Sequence, residues 1–86
     1  MKDHEKSLKA LANKRRLEII KYLKKAKEAT VGEIASHLKL SFKSTSKHLL
    51  ILMHASIVEK DQRSLSAFYS LAPSIPSITK GVTAEL

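Results

Sequence analysis

The chain has 86 residues, no cysteine, and 16 Lys and Arg against 8 Asp and Glu, a formal net charge of +8. That length allows one domain with a modest core, and without cysteine neither a disulfide nor a thiolate metal site can reinforce it, which leaves pairing with a second copy. No apolar run approaches a membrane span and residues 1–11 lack the apolar core of a signal peptide, so a cytoplasmic protein is expected; nearly all the basic excess lies before residue 61, and a small basic domain commonly meets nucleic acid.

Leu8, Leu11 and Ala12 recur at helical spacing and predict a short first helix. Asn13 offers a side-chain oxygen that caps a new one. Over residues 14–27, Leu17, Ile19, Ile20, Tyr22 and Leu23 cover a broad apolar sector, while Lys14, Arg15, Glu18, Lys21 and Lys25 fall mainly outside it. So wide a sector must pack against several neighbours, which makes this the central helix.

Thr30 and Glu33 have the spacing of a capping box, and Val31, Ile34, Ala35 and Leu38 form one face of the helix that follows. Leu40 and Ser41 connect it to the next, with Ser41 as cap and the helix running from Phe42 to about Ala55. The period then changes from 3.6 to 2. Residues 57–60 and 67–71 read as two strands, separated by the polar segment 61–66. Pro76 suits the first turn of a short C-terminal helix, which Gly81 and the threonines weaken. The expected class is mainly α with a small β-hairpin, in the order α-α-α-α-β-β.

Two helices joined by about four residues, the second freshly capped, form a helix-turn-helix. On the second, Thr45, Leu49 and Leu52 project together, flanked by Phe42 and Met53. Lys43, Ser44, Lys47 and His48 point the other way. That face has cations and hydroxyls, and no Glu or Asp occurs from Lys39 through Ile57. Such a face suits a major groove, where Lys and Ser reach base edges and phosphates.

The stretch from Leu8 to Leu71 resembles the winged-helix domain of the ArsR-type repressors. The run Leu11-Ala12-Asn13-Lys14-Arg15-Arg16-Leu17-Glu18-Ile19-Ile20 is similar to the family's entry into its second helix. Glu33-Ile34-Ala35-Ser36-His37-Leu38-Lys39-Leu40-Ser41 is similar to its first motif helix and turn. The most specific run is Ser44-Thr45-Ser46-Lys47-His48-Leu49-Leu50-Ile51-Leu52, which resembles the recognition helix. Ala55-Ser56-Ile57-Val58 and Phe68-Tyr69-Ser70-Leu71 resemble the strands of the wing.

The resemblance implies a single winged helix-turn-helix domain over residues 1–86, with the helix-turn-helix at 30–55 and the wing at 57–71. It implies a homodimeric, sequence-specific regulator of transcription on double-stranded DNA, commonly a repressor released by an effector, which the sequence leaves unknown. Carried over by position, Lys43, Ser44, Ser46, Lys47 and His48 face DNA, and Arg63 in the wing meets phosphate or the minor groove. Residues 1–12 and 73–86 become dimerisation segments, with Leu8 and Leu11 on one side and Ile75, Ile78 and Val82 on the other.

Three departures stand out: Lys39 and Ser56 where the family favours glycine, and Ser64-Leu65 at the wing tip in place of glycine and a basic residue. Where relatives carry a metal-binding cysteine pair, this chain has Thr30 and Gly32. The tail from Ser74 has no Asp or His for the family's second metal site, so no metal or other cofactor is expected. His48 and His54 are six apart and point in different directions on one helix.

No Gly-rich phosphate loop, cysteine nucleophile or paired acidic motif suggests an enzyme. The alternative reading is a winged-helix protein-interaction module that does not bind DNA. Single-strand or RNA binding fits less well, because Tyr22, Phe42, Phe68 and Tyr69 read mostly as structural residues rather than a stacking platform.

Overall fold

The computed structural model describes residues 2–73, with side chains at residues 5, 6 and 8–73. Four helices precede one hairpin: α1 (Lys2–Leu11), α2 (Lys14–Ala26), α3 (Val31–Leu38), α4 (Phe42–His54), β1 (Val58–Arg63) and β2 (Ser66–Leu71). The expected class and order hold. The C-terminal helix expected from Pro76, with Ile75, Ile78 and Val82, lies outside the described residues. Among the described residues no helix is long and apolar enough to cross a membrane.

Each of the three expected caps forms. Asn13 Oδ1 accepts from the Arg16 amide at 3.1 Å and starts α2. Thr30 and Glu33 close a reciprocal box: the Thr30 amide donates to Glu33 Oε1 at 2.8 Å, and the Glu33 amide donates to Thr30 Oγ1 at 3.2 Å. Ser41 Oγ accepts from the Ser44 amide at 3.0 Å and opens α4. Each bond satisfies a helix-end donor that otherwise has no intrahelical partner.

The core gathers Ile19, Ile20 and Leu23 of α2, Ile34 of α3, Leu49 and Leu52 of α4, Ile57 just before β1, Val58 and Tyr69 of the hairpin, and Ala10 and Leu11 of α1. The central place expected for α2 follows from this list, since helices α1, α3 and α4 and strand β2 all pack on it. Thr45 is the one buried polar side chain among the described residues, and its hydroxyl donates to the Ser41 carbonyl at 2.9 Å.

The hairpin is longer than its alternation suggests. β1 and β2 pair antiparallel from Val58↔Leu71 out to Arg63↔Ser66, so the turn is only Ser64-Leu65. Residues 59–66 are exposed. A strand with neither face buried has no period-2 hydrophobic signature, and for that reason 61–66 reads as loop from sequence alone. The hairpin is tied back to the helices by a third backbone segment. The Ala29 amide donates to the Tyr69 carbonyl at 3.0 Å, and the Tyr69 amide to the Ala29 carbonyl at 2.8 Å.

Each of the three places where glycine is missing adopts the conformation glycine favours, Ser64 of the wing tip with φ 55°. Lys39 has φ 57° and ψ 43° and ends α3, with the Leu40 amide reaching back to the Ala35 carbonyl at 3.0 Å. Ser56 has φ 61°. Lys27, at the end of α2, has φ 77° and ψ −47°, near the strained γ-turn region.

Candidate nucleic-acid interface

The helix-turn-helix is α3, the turn at residues 39–41, and α4. Thr45, Leu49 and Leu52 of α4 are buried and fix its rotation. The opposite side is therefore set: Lys43 and Lys47 are exposed at its centre, and neither is ion-paired among the described residues. With no carboxylate on the helix to neutralise them, they form a standing positive strip.

The two flanks of that strip differ. On one, Ser44 and His48 are half-buried. His48 is held from α2: Arg16 Nη1 approaches His48 Nδ1 at 3.4 Å. A guanidinium only donates, so Nδ1 accepts and the ring proton of the neutral imidazole sits on Nε2. The rest of the Arg16 fork caps α1, with Nε donating to the Ala10 carbonyl and Nη2 to the Lys9 carbonyl at 3.2 Å. Burial, then the nearby charges of Arg16, Arg15 and Lys47, hold the His48 pKa below its usual 6.5. With Nδ1 facing Arg16, Nε2 is the ring nitrogen of His48 left to donate elsewhere. Nothing in local spacing announces Arg16, which lies 32 residues away.

On the other flank stand Ser46 and Phe42. The expectation that Phe42 flanks the buried face is corrected here: it is 64% exposed. As the first residue of α4 it lies beyond the reach of the core. It lines a cleft of about 520 Å³ between the start of α4 and the hairpin, together with Ser46, Gln62, Leu65 and Tyr69.

Arg63 is committed within the wing and its support. Nη1 and Nη2 grip the two Glu28 carboxylate oxygens at 2.7 and 2.8 Å, and Nε donates to Asp61 Oδ2 at 2.8 Å. The guanidinium also lies 4.7 Å from the Phe68 ring centre. Glu28 sits in the α2–α3 connection, so Arg63 ties the hairpin to the helices. The hydrogen bonds from Arg63 hold the Glu28 carboxyl below its ordinary value.

The five expected contact residues of α4 are thus brought to one surface, with Lys43 and Lys47 foremost, while Arg63 is engaged by carboxylates beside it. On the dimer side, Leu8 is 47% exposed. Leu11 is corrected: at 6% exposure it is spent on the protomer's own core and has little left for a partner.

A recognition helix seated on a buried triad, with a two-stranded wing beside it, defines the winged helix-turn-helix class. Residues 13–60 match the profile of the bacterial regulatory proteins of the arsR family. The chain belongs to that family, as the motif runs imply, and the family is one of regulators rather than enzymes.

Among curated proteins, the transcriptional activator HlyU of Vibrio cholerae is 40% identical over 65 residues, 76% of this chain and 59% of the relative. The chain therefore spans about three fifths of that relative's length. A winged helix-turn-helix domain from Mycobacterium bovis, described as homodimeric and DNA-binding, superposes with a TM-score of 0.83 at 26% identity, covering 98% of this chain and 74% of that one. The transcriptional repressor PagR of Bacillus anthracis gives 0.79 at 29% identity, covering 94% and 93%.

Proposed function

We propose that the chain is a homodimeric regulator of transcription that binds double-stranded DNA in a sequence-specific manner, laying α4 in the major groove. The observation that carries this is the exposed, carboxylate-free strip of Lys43 and Lys47 on a helix locked from behind by Thr45, Leu49 and Leu52. Ser44, Ser46 and His48 flank that strip and supply hydrogen-bonding groups for base edges and phosphates. Arg63 enters chiefly by holding the wing at its angle, and meets a phosphate only by exchanging a carboxylate for it.

Two copies related by a two-fold axis place their recognition helices in successive major grooves, about 34 Å apart. Exposed Leu8, the apolar Ile75, Ile78 and Val82 of the tail, and the homodimeric M. bovis neighbour support pairing. Repression is the simpler direction, because a dimer lying on a promoter blocks it without a second contact. The family comparisons include both an activator and a repressor. The site expected to bind the family's metals holds Thr30 and Gly32, both without a soft ligand, so no metal enters this reading.

The test is a mobility shift with the chain's own upstream DNA at two salt concentrations. Lys47→Ala is expected to weaken binding on all sequences and lower the salt slope by about one unit. Absence of any salt-sensitive duplex binding by the wild-type chain favours the protein-interaction module instead.

A further inference from the structure

The two most exposed large apolar side chains among the described residues, Leu65 at 97% and Phe42 at 64%, line the same cleft. Neither fills the core. Phe42 opens α4, one position before Lys43, and Leu65 occupies the second position of a two-residue turn at the far end of the wing. Singly exposed apolar side chains are ordinary, but these two share one cleft rimmed by Thr30, Ser46, Gln62 and Ser66, and an apolar patch with a polar rim marks an interaction site.

The surroundings identify the partner. Lys43 follows Phe42 and Lys47 lies one turn further along the same helix, both exposed and neither ion-paired among the described residues, and no carboxylate lies on α4. Protein-binding patches are depleted in lysine at their centres, whereas a polyanion requires it. Leu65 projects singly from a narrow hairpin tip, a shape suited to entering a groove rather than lying on a flat face. The Arg63–Glu28 grip and the Ala29–Tyr69 bridge hold that tip relative to the helices.

We infer that Phe42 and Leu65 form an apolar reading element on duplex DNA: Phe42 packs on the C5 methyl of a thymine in the major groove, and Leu65 wedges into the adjacent minor groove. This rests on the DNA-binding reading proposed above. Aromatic contact to thymine methyls and apolar wedges at minor-groove steps are both established modes of recognition. The element gives preference for A·T pairs at two positions through contacts that carry no charge. It also accounts for a wing tip of Ser64-Leu65 without a basic residue.

The probe is a duplex selected by the wild-type chain from a random pool, and the same duplex with each thymine in turn replaced by uracil, which removes only the methyl. Wild-type affinity is expected to fall about fourfold at one position per half-site, the worth of one buried methyl group. Phe42→Ala is expected to bind the thymine and uracil duplexes equally. Leu65→Ser is expected to lose affinity several-fold with the salt slope unchanged, since no counterion is released by an apolar contact.

Both side chains are exposed, so both variants are expected to melt with the wild type. If the wild type binds duplex but shows no uracil effect, or if both variants bind as it does, the inference is overturned and the DNA reading stands. If the wild type binds no duplex, both fall. If the variants instead lose capture of a protein, the patch is a protein-docking surface and the inference is overturned.

Discussion

Arg63 and Glu28, 35 residues apart in sequence, meet through two parallel hydrogen bonds of 2.7 and 2.8 Å. This fork-to-fork geometry fixes direction as well as distance, and it sets the angle between the wing and the α2–α3 connection. Exposed ion pairs contribute little to stability, so the effect of breaking this one lies in wing order. Glu28→Gln is expected to leave the melting temperature nearly unchanged and to lower backbone order parameters over residues 60–67. High salt is expected to do the same to the wild type. Unchanged order parameters in the variant would show that the Ala29–Tyr69 bridge holds the wing alone.

Acid is expected to weaken the fold through His48. Its pKa is lower in the folded chain than the ordinary 6.5, chiefly because of burial and then because of Arg16, Arg15 and Lys47. The unfolded chain therefore takes up a proton first, and stability falls as pH drops below about 6.5 toward the folded value. His48→Asn puts a carbonyl oxygen within reach of Arg16 without a titrating ring. Denaturant melts between pH 7 and 5 are expected to show a shallower loss for the variant. Equal slopes would mean that His48 titrates alike in both states.

Glu28 acts in the same direction at lower pH. The hydrogen bonds from Arg63 depress its carboxyl below 4.5, so its contribution is present above that value and is lost as pH falls through the folded value. In Glu28→Gln that part of the acid transition is expected to be missing, while the His48 part remains.

Lys27, Lys39 and Ser56 hold left-handed conformations that cost an L-residue about 1–2 kcal/mol. Glycine removes that cost and loses about 0.5–1 kcal/mol to greater freedom of the unfolded chain. Lys39→Gly is expected to gain about 0.5–1 kcal/mol, a rise of a few degrees in a domain of this size. Lys27→Gly is expected to gain more, because its ψ of −47° lies outside the left-handed helical well. Lys39→Ala, which keeps the Cβ, is the control; a similar gain there would sink the backbone explanation.

Thr45 separates shape from hydrogen bonding. Its hydroxyl and its amide both donate to the Ser41 carbonyl, at 2.9 and 3.0 Å. Removing the hydroxyl therefore leaves no orphaned acceptor. Thr45→Val is expected to change stability by less than about 1 kcal/mol. Thr45→Ser, which deletes a fully buried methyl, is expected to cost about 1 kcal/mol. The reverse order in chemical melts would place the weight on the hydroxyl.

What was legible in the sequence was local. The caps at Asn13, Thr30 and Ser41 depend on groups three residues apart, and α4's buried triad follows from the helical period. Long-range partners were not legible: Arg16 meets His48, and Arg63 meets Glu28, because tertiary packing brings distant side chains together, and spacing carries no trace of that. Phe42 misled because apolar character suggests burial, yet the first turn of α4 projects past the core. Leu11 misled in the opposite sense, since a helical apolar residue looks the same whether it meets its own domain or a partner. The outer half of β1 was hidden because a strand wet on both faces has no pattern to read.

The Ala29–Tyr69 bridge turns a two-stranded ribbon, marginal by itself, into one edge of a three-segment ladder. The aim of the wing is thus governed from residues 27–30, through Ala29 at Tyr69 and Glu28 at Arg63. Changes in that short connection are therefore expected to re-point the hairpin relative to α4 while every residue of the hairpin and of α4 stays as it is.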